Sequence, residues 1–148
     1  MGGIGGPQSR RSVVVPASWN EFYEATGIPA ATRSGEVLRL TGHTGDRADG
    51  TFSNDPEAQT RQTFENVAST LSEAGLQCSD VVEITTYRVG LRAQAEVALR
   101  VAAEFLHPPY PAWTDVGITE LFEPEALFEM SCVAVTRRED SQSTESAP

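Results

Sequence analysis

Three side chains in the C-terminal half have the types and spacing that chemistry needs. Trp113 and Asp115 lie two residues apart in Ala112–Ile118, which has the composition of a β-strand. Alternate residues of a strand share a face, so Trp113, Asp115 and Gly117 are predicted to face one way. Glu129 lies in the middle of the apolar segment LFEMSCVAV. Burying that carboxylate alone costs several kcal/mol, and desolvation raises a carboxyl pKa toward the range useful for general acid–base catalysis.

Each of these residues also has a purely structural interpretation. Glu129 suits a salt bridge to an arginine such as Arg39 as well as it suits catalysis. A single tryptophan such as Trp113 is more often core or interface than a surface for ligand stacking. We expect Trp113, Asp115 and Glu129 to lie on neighbouring strands, and together they predict a site with an aromatic surface and two carboxylates.

The histidines and cysteines predict no metal site and no cofactor. His43, in LTGHTG, lies where a strand is expected to break into a turn, and is either a solvated turn residue or a second proton carrier. With only two histidines the chain cannot assemble a His-rich metal site, and GDRADG lacks the alternating ligands of an EF-hand loop. Cys78 and Cys132 match neither zinc nor redox spacings, and a disulfide between them has no support in the sequence.

Composition narrows the classes of function. The 148 residues carry a formal net charge of −10, which disfavours nucleic acid as the main partner. All eleven basic residues are arginine, which excludes a Schiff-base lysine, a P-loop lysine and a pyridoxal-phosphate anchor. No apolar run approaches the ~20 residues of a membrane span, and the start lacks an apolar signal segment. We therefore expect a cytoplasmic protein without a membrane partner.

The chain reads as one domain, residues 13–136, between a flexible leader (1–12) and a disordered tail (137–148). Two strands are followed by the clearest helix, DPEAQTRQTFENVASTLSEAGL. Asp55 is predicted to cap this helix, Pro56 to occupy its first position and Gly75 to end it. A strand, a second amphipathic helix and two strands complete the order β-β-α-β-α-β-β. This pattern predicts an α+β fold, with two helices packed on one face of a mixed sheet.

The second face of that sheet also carries apolar groups. We expect them at Val81, Thr85 and Tyr87 in one strand and at Leu127, Ser131 and Val133 in another. A sheet left bare on this side would expose a large apolar patch. Self-association through that face is therefore predicted, which makes the chain's own copies its expected partners.

Between about Ile28 and Val135 the sequence resembles the Rid family, the YjgF-like reactive intermediate deaminases. The resemblance rests on these features: Gln59, Phe64-x-Asn66, Ala74-Gly75 before Asp80-Val81-Val82, Pro111-Ala112, and Glu129 before the closing strand. It implies a chorismate-mutase-like fold and a homotrimer with small-molecule clefts between subunits. The best-studied members hydrolyse reactive enamines and imines, and others are described as RNA-cleaving or as binding modules.

The resemblance departs from the family pattern at the site. Deaminating members have an arginine after the Pro-Ala pair that grips a substrate carboxylate, and this chain has Trp113 there. Asp115 replaces a small or cysteine residue. Glu129 matches the family's water-positioning carboxylate. These departures resemble the YjgH-like subgroup, which lacks the deaminase arginine.

The first cleft strand differs as well. Thr41-Gly42-His43 stands where many members have Ser-Gly-Gln, and Gly42 matches a backbone group that contacts ligand. Ile28 aligns with the usual cleft tyrosine. An indole has one donor and no charge, so Trp113 cannot replace a guanidinium for an anion. A flat, neutral or cationic ligand, stacked on Trp113 and hydrogen-bonded to Asp115, fits better.

The leading hypothesis is an enzyme acting on a small organic metabolite in a subunit-interface cleft. Glu129, Asp115 and His43 are its candidate acid–base groups, and Trp113, Gly42, Thr41 and Ile28 its candidate substrate contacts. Hydrolysis of an imine or enamine, dehydration, tautomerisation and cyclisation all fit paired carboxylates. The alternatives are a non-catalytic ligand-binding or chaperone-like trimer and, disfavoured by charge, an RNA-cleaving protein.

Overall fold

The computed structural model describes residues 10–137, which form a mixed six-stranded sheet covered on one face by helices. The strands are β1 (Ser12–Val14), β2 (Ala31–Ser34), β3 (Val37–Thr44), β4 (Val81–Val89), β5 (Ala112–Ile118) and β6 (Phe128–Val135). The helices are α1 (Asn20–Thr26), α2 (Pro56–Glu73) and α3 (Leu91–Ala102). Across the sheet the order is β1-β2-β3-β6-β4-β5, and only the β4–β5 pair is parallel. The predicted α+β class is confirmed.

The core lies between the sheet and helices α2 and α3. The Asp55 side chain accepts a hydrogen bond from Glu57 N at 3.2 Å, and Pro56 begins α2, as predicted. Gly75 follows the helix with a φ of 76°, a conformation that favours glycine. The helix buries Phe64, Val67 and Leu71. From the sheet the core receives Leu38, Leu40, Ile84, Phe128, Met130, Cys132 and Ala134.

Two elements were not predicted, so the order β-β-α-β-α-β-β is incomplete. Helix α1 has seven residues, none of them buried, and therefore shows no apolar stripe in the sequence. Its one readable signal is Gly27, which ends it with a φ of 72°. Strand β2 has four residues and forms a hairpin with β3 through a turn at Gly35. Neither segment has an apolar run or a periodic apolar pattern from which it could be recognised.

The second face of the sheet is open in the single chain. Along β6, Glu129, Ser131, Val133 and Val135 are half-buried and alternate with buried residues. Thr85 and Tyr87 share this face in β4, as predicted. Val81 does not: a register shift between Val81 and Glu83 turns it into the core, where it is 7 % exposed.

The residues next to the predicted domain limits take part in the fold. Ser12, placed in the leader, begins β1, and Arg137, placed in the tail, donates to Asp80 Oδ1 at 2.8 Å. The rest of the predicted leader and tail falls, apart from Arg10 and Arg11, outside the described residues. Within residues 10–137, no helix is long and apolar enough to cross a membrane.

Candidate functional site

A β-bulge in the middle of the sheet shapes the open face. Leu40 pairs with Cys132 and His43 with Met130, so Thr41 and Gly42 together lie opposite Ser131. Two residues against one bend the strand and interrupt its regular pairing, and such bulges are frequent next to active sites. Thr41 is held from the other side, because its hydroxyl donates to the carbonyl of Pro29 at 2.7 Å. The bulge is therefore a fixed feature of β3.

The side chain of Glu129 lies directly over Gly42. A Cβ atom at Gly42 would come within 2.6 Å of Glu129 Cδ and 2.8 Å of Oε1, closer than side chains pack. Only a glycine leaves room for the carboxylate in this position. Both residues are site residues predicted from the sequence, and the structure brings them into contact.

Glu129 is half-buried, and within residues 10–137 its carboxylate has no hydrogen-bond or salt-bridge partner. Burial raises the pKa of Glu129 above its usual value. The alternative of a salt bridge to Arg39 is not found: Arg39 pairs with Val133, four residues along β6 from Glu129. An unpaired, partly desolvated carboxyl group with a raised pKa is suited to give and take a proton in general acid–base catalysis.

Two amide side chains of α2 hold the segments around this carboxylate. Asn66 Nδ2 donates at 2.9 Å to the carbonyls of Thr44 and Asp46, just where β3 ends. Since Thr44 is the register partner of Glu129, Asn66 helps to fix the end of the site. Gln59 and Asn66 are two of the residues that carried the Rid resemblance, and the structure gives both a positioning role.

Gln59 is 1 % exposed, and both ends of its amide are fully used. Nε2 donates to the carbonyls of Ser53 (2.7 Å) and Glu125 (2.8 Å), and Oε1 accepts from Leu127 N at 2.9 Å. One side chain thus ties the loop before α2 to the loop between β5 and β6. That second loop leads directly into the strand that carries Glu129.

His43 does not lie in a solvated turn, so that interpretation is wrong, and its ring lies on the helix side of the sheet, away from the open face that carries Glu129. Its role as a second proton carrier stays a prediction. His43 belongs to β3, is 2 % exposed and faces α2. Its Nδ1 lies 2.6 Å from the Thr41 carbonyl, which can only accept, and its Nε2 lies 2.8 Å from Thr70 Oγ1. The ring also packs against that of Trp19, with centroids 4.8 Å apart and ring planes inclined by 33°. Burial lowers the pKa of His43, which keeps the ring neutral.

Trp113 and Asp115 share a strand face, as predicted, but within one chain they do not share a site with Glu129. Strand β4 separates β5 from β6, so the expected neighbouring strands are not adjacent. Trp113 and Asp115 pair with Ile84 and Thr86, whose side chains point toward the helices. Glu129 points to the open face. In a single chain, the sheet itself lies between the two groups.

The contacts of Trp113 and Asp115 are structural in this chain. Trp113 packs against the core, and its Nε1 donates to Thr86 Oγ1 at 2.8 Å. The Thr86 hydroxyl donates in turn to Asp115 Oδ1 at 2.7 Å. Arg88 binds the same carboxylate through Nε at 3.0 Å and through Nη2.

Sequence analysis missed Arg88, which is 1 % exposed. Besides Asp115 it donates to the Gln94 carbonyl at 3.0 Å, and its guanidinium lies 5.4 Å from the centre of the Phe128 ring. The available signal was its spacing: Ile84, Thr86 and Arg88 alternate along β4, which places an arginine on the helix-covered face. Such a position requires a buried anion, and Asp115 provides it.

The remaining predicted contact, Ile28, lies in the turn after α1 and is 44 % exposed. Its carbonyl accepts from Trp19 Nε1 at 2.9 Å, and Thr41 holds the next residue, Pro29. Ile28 therefore lies close in space to the bulge of β3. The structure groups Thr41, Gly42 and Glu129, places Ile28 at their margin, and separates them from His43, Trp113 and Asp115.

Comparison with known proteins identifies relatives along most of this chain. The family model described as "Endoribonuclease L-PSP" matches residues 20–136. The protein named RutC family protein YjgH, from Escherichia coli strain K12, is 38 % identical over 112 residues, which are 75 % of this chain and 86 % of that protein. The RutC family protein PYRAB12510 of Pyrococcus abyssi is 28 % identical and covers 78 % of each chain.

Solved structures agree with the sequence comparison. The structure titled Protein YJGH superposes with a TM-score of 0.79 at 34 % identity, covering 88 % of this chain and 99 % of that one. Rv2704 from Mycobacterium tuberculosis, described as a member of the YjgF/YER057c/UK114 family, superposes with a TM-score of 0.74 at 28 % identity, covering 85 % and 99 %. With the family match, the six-stranded sheet and its two covering helices in agreement, the chain belongs to the YjgF-like (Rid) family and is similar to YjgH.

Proposed function

We propose that this protein is a Rid-like enzyme that acts on small imines or enamines lacking a carboxylate, with Glu129 as general acid and base. Membership of the family supports a role connected with small molecules. The single observation that carries the proposal is the unpaired, half-buried carboxylate of Glu129 against Gly42 at a β-bulge. A buried charge without a partner destabilises the fold, so its presence is best explained by function.

The substrate class follows from what the site lacks. Arg88 and Arg39 are the basic residues of the strands around Glu129. Arg88 is neutralised by Asp115 on the other face, and Arg39 lies four register positions away. Deaminating relatives grip a substrate carboxylate with an arginine after Pro-Ala, where this chain has Trp113. A neutral or cationic imine is therefore the fitting substrate, and a carboxylate beside Glu129 would be repelled.

The complete cleft is proposed to form between subunits of a homotrimer. The open face of the sheet leaves Val133 and Val135 partly exposed in the single chain, and a second copy would cover them. Because Trp113 and Asp115 face away from Glu129, any ligand that touched all three would have to bind between two copies. The oligomer and the roles of Trp113 and Asp115 in ligand binding are part of this proposal.

The experiment compares 1-pyrroline, a cyclic imine, with 1-pyrroline-2-carboxylate. Deuterium incorporation at the carbon next to the C=N bond, followed by ¹H NMR, reports imine–enamine proton transfer. We expect the enzyme to accelerate exchange of 1-pyrroline well above the buffer rate and to favour it over the carboxylate. Glu129→Gln should lose about 10²-fold or more. The control Glu83→Gln removes an exposed carboxylate from the same face and should keep full activity.

Two results would contradict the proposal. Faster turnover of the carboxylate-bearing imine would show that the site binds anions after all. Full activity of Glu129→Gln would remove Glu129 from the chemistry. RNA cleavage, which the family description suggests, is not proposed for this chain because its net charge of −10 opposes binding of phosphates.

A further inference from the structure

Tyr87 is the residue that lies directly across from Glu129. Strand β4 is antiparallel to β6, and their register pairs Tyr87 with Glu129. Residues paired in this way point to the same face of the sheet, with Cβ atoms about 4.5–5.5 Å apart. Tyr87 is half-buried like Glu129, whereas its chain neighbours Thr86 and Arg88 point into the core.

The Tyr87 hydroxyl is not used by the fold. Within residues 10–137 it has no hydrogen-bond partner, while the hydroxyls of Thr41, Thr44 and Thr86 are all donors to other residues. The neighbour of Tyr87 on its other side is Val116 of β5, which is 37 % exposed and offers no polar group. Two proton-carrying groups without partners thus stand side by side on the open face.

We propose that Tyr87 is the second proton carrier of the site and works with Glu129 on imines and enamines. This inference rests on the proposed function and replaces His43 and Asp115, which the structure commits to other contacts. It also narrows the reaction to proton transfer at two atoms of one small molecule. Such a reaction needs two groups whose separation matches that of the two atoms.

The proton balance of the step is complete without a further reactant. The Glu129 carboxylate takes a proton from the carbon next to C=N, and that C–H electron pair forms the C=C bond. The C=N π pair moves to nitrogen, which takes the hydroxyl proton of Tyr87. Transfer of the proton from the Glu129 carboxyl group to the Tyr87 phenolate restores both residues. In the reverse direction the same two groups convert an enamine to an imine, which water then hydrolyses.

The test measures 1-pyrroline exchange for Tyr87→Phe, with Tyr110→Phe as the matched control. Tyr110 is 69 % exposed in the segment before β5. We expect Tyr87→Phe to lower kcat at least about 10-fold with KM changed less than about 2-fold, since general acid catalysis contributes that much or more. Tyr110→Phe should match the unaltered protein. Thermal unfolding of each variant checks that the phenylalanine leaves the fold intact.

The outcomes separate this inference from the proposed function. If Glu129→Gln is inactive while Tyr87→Phe keeps its kcat, Glu129 works alone and the role of Tyr87 is wrong. If Tyr87→Phe raises KM and leaves kcat unchanged, Tyr87 only binds the substrate, and the inference is again wrong. If Glu129→Gln is fully active, the proposed function itself fails, and the role of Tyr87 fails with it.

Discussion

At the scale of single residues, the contact between Gly42 and Glu129 should be sensitive to one methyl group. Gly42→Ala would place Cβ within 2.6 Å of Glu129 Cδ, and the flexible carboxylate would move rather than the backbone. We expect exchange of 1-pyrroline to fall about 10-fold or more, because small displacements of a catalytic group are costly. The thermal midpoint should change little. Ser131→Ala, opposite the bulge, is the control and should keep its activity.

Glu129 should also cost the protein stability at neutral pH. Its folded pKa is raised, so the folded state holds the proton more tightly than the unfolded state. Stability is therefore lost as pH rises from the unfolded value of 4.5 through the higher folded value. We expect Glu129→Gln to be more stable than the unaltered protein at pH 7 and not at pH 4, as measured by urea unfolding. A less stable Glu129→Gln protein at pH 7 would contradict this.

His43 should give the opposite dependence on pH. Its folded pKa is lowered by burial, so the unfolded state binds the proton more readily. Stability is lost as pH falls below the unfolded value of 6.5, with a slope of at most about 1.4 kcal/mol per pH unit. In urea unfolding between pH 7 and 5, His43→Gln should flatten this slope. His107→Gln, which replaces the chain's other histidine, is the control. An unchanged slope in His43→Gln would disprove the burial argument.

The sequence predicted which residues are important better than it predicted the contacts that each of them makes. The sequence correctly indicated that Glu129 and Gly42 belong together, because Glu129 stood out in an apolar strand and the family resemblance added Gly42 to the same site. It misplaced Asp115 because the partner of a buried charge is fixed by register, and Arg88 is 27 residues earlier in the chain. It misplaced His43 because burial of a polar residue depends on which helix covers it. Here that helix supplies Thr70.

At the scale of elements, the Arg88–Asp115 pair joins β4 to β5 beneath α3. The Arg88 side chain is 2 % exposed, so Asp115→Ala would leave its charge buried and unpaired. We expect a loss of about 3–5 kcal/mol in the free energy of unfolding. The double variant Arg88→Met/Asp115→Asn should recover at least about half of that loss, because it removes the buried charge as well.

The unfolding free energies of Asp115→Ala and of the double variant together decide whether Asp115 has a structural role. If Asp115→Ala unfolds at the same urea concentration as the unaltered protein, the pair is not structural, and ligand binding is left as the role proposed for Asp115. If the double variant is as unstable as Asp115→Ala, the loss comes from packing rather than from charge. Both results come from urea unfolding alone and require no substrate.

The Gln59 amide is the clearest link between helix and loops. Gln59→Leu would leave the Ser53 and Glu125 carbonyls and the Leu127 N–H without their partner. We expect the free energy of unfolding to fall by about 2–4 kcal/mol, measured in urea. The control Glu65→Leu, on the exposed side of the same helix, should stay within about 0.5 kcal/mol. Equal losses in both variants would show a general effect of leucine on α2.

The elements themselves were predictable to the extent that they were long and periodic. The first turn of helix α2 was indicated by Asp55-Pro56 and its end by Gly75. In the structure Asp55 caps the helix, Pro56 begins it, and Gly75 follows it with a positive φ. The order of strands was not predictable. No pattern within β6 reveals that it lies between β3 and β4, because that position is decided by contacts with residues about 50 and 90 positions earlier.

At the scale of the whole molecule, the open face predicts self-association, and the resemblance to the Rid family implies that the assembly is a homotrimer. Light scattering at micromolar concentration should give about three times the chain mass of 15.9 kDa. Val133→Lys, on the open face, should give a folded monomer because it would bury a charge between subunits. Leu99→Lys is the control, since Leu99 is 61 % exposed on α3 and lies on the helix side. A monomer in the unaltered protein would remove the proposed interface cleft.

The position of β6 has a consequence for how the protein is made. Among residues 10–137 this strand comes last in sequence, yet it fills the middle of the sheet, between β3 and β4. Until residues 128–135 leave the ribosome, β3 and β4 each present an unpaired edge, and unpaired edges favour aggregation. The β4–α3–β5 unit is local and can fold early, whereas pairing of β3 with β6 must close a loop of more than 80 residues. Folding of the sheet is therefore completed by the insertion of the strand that brings Glu129 to Gly42.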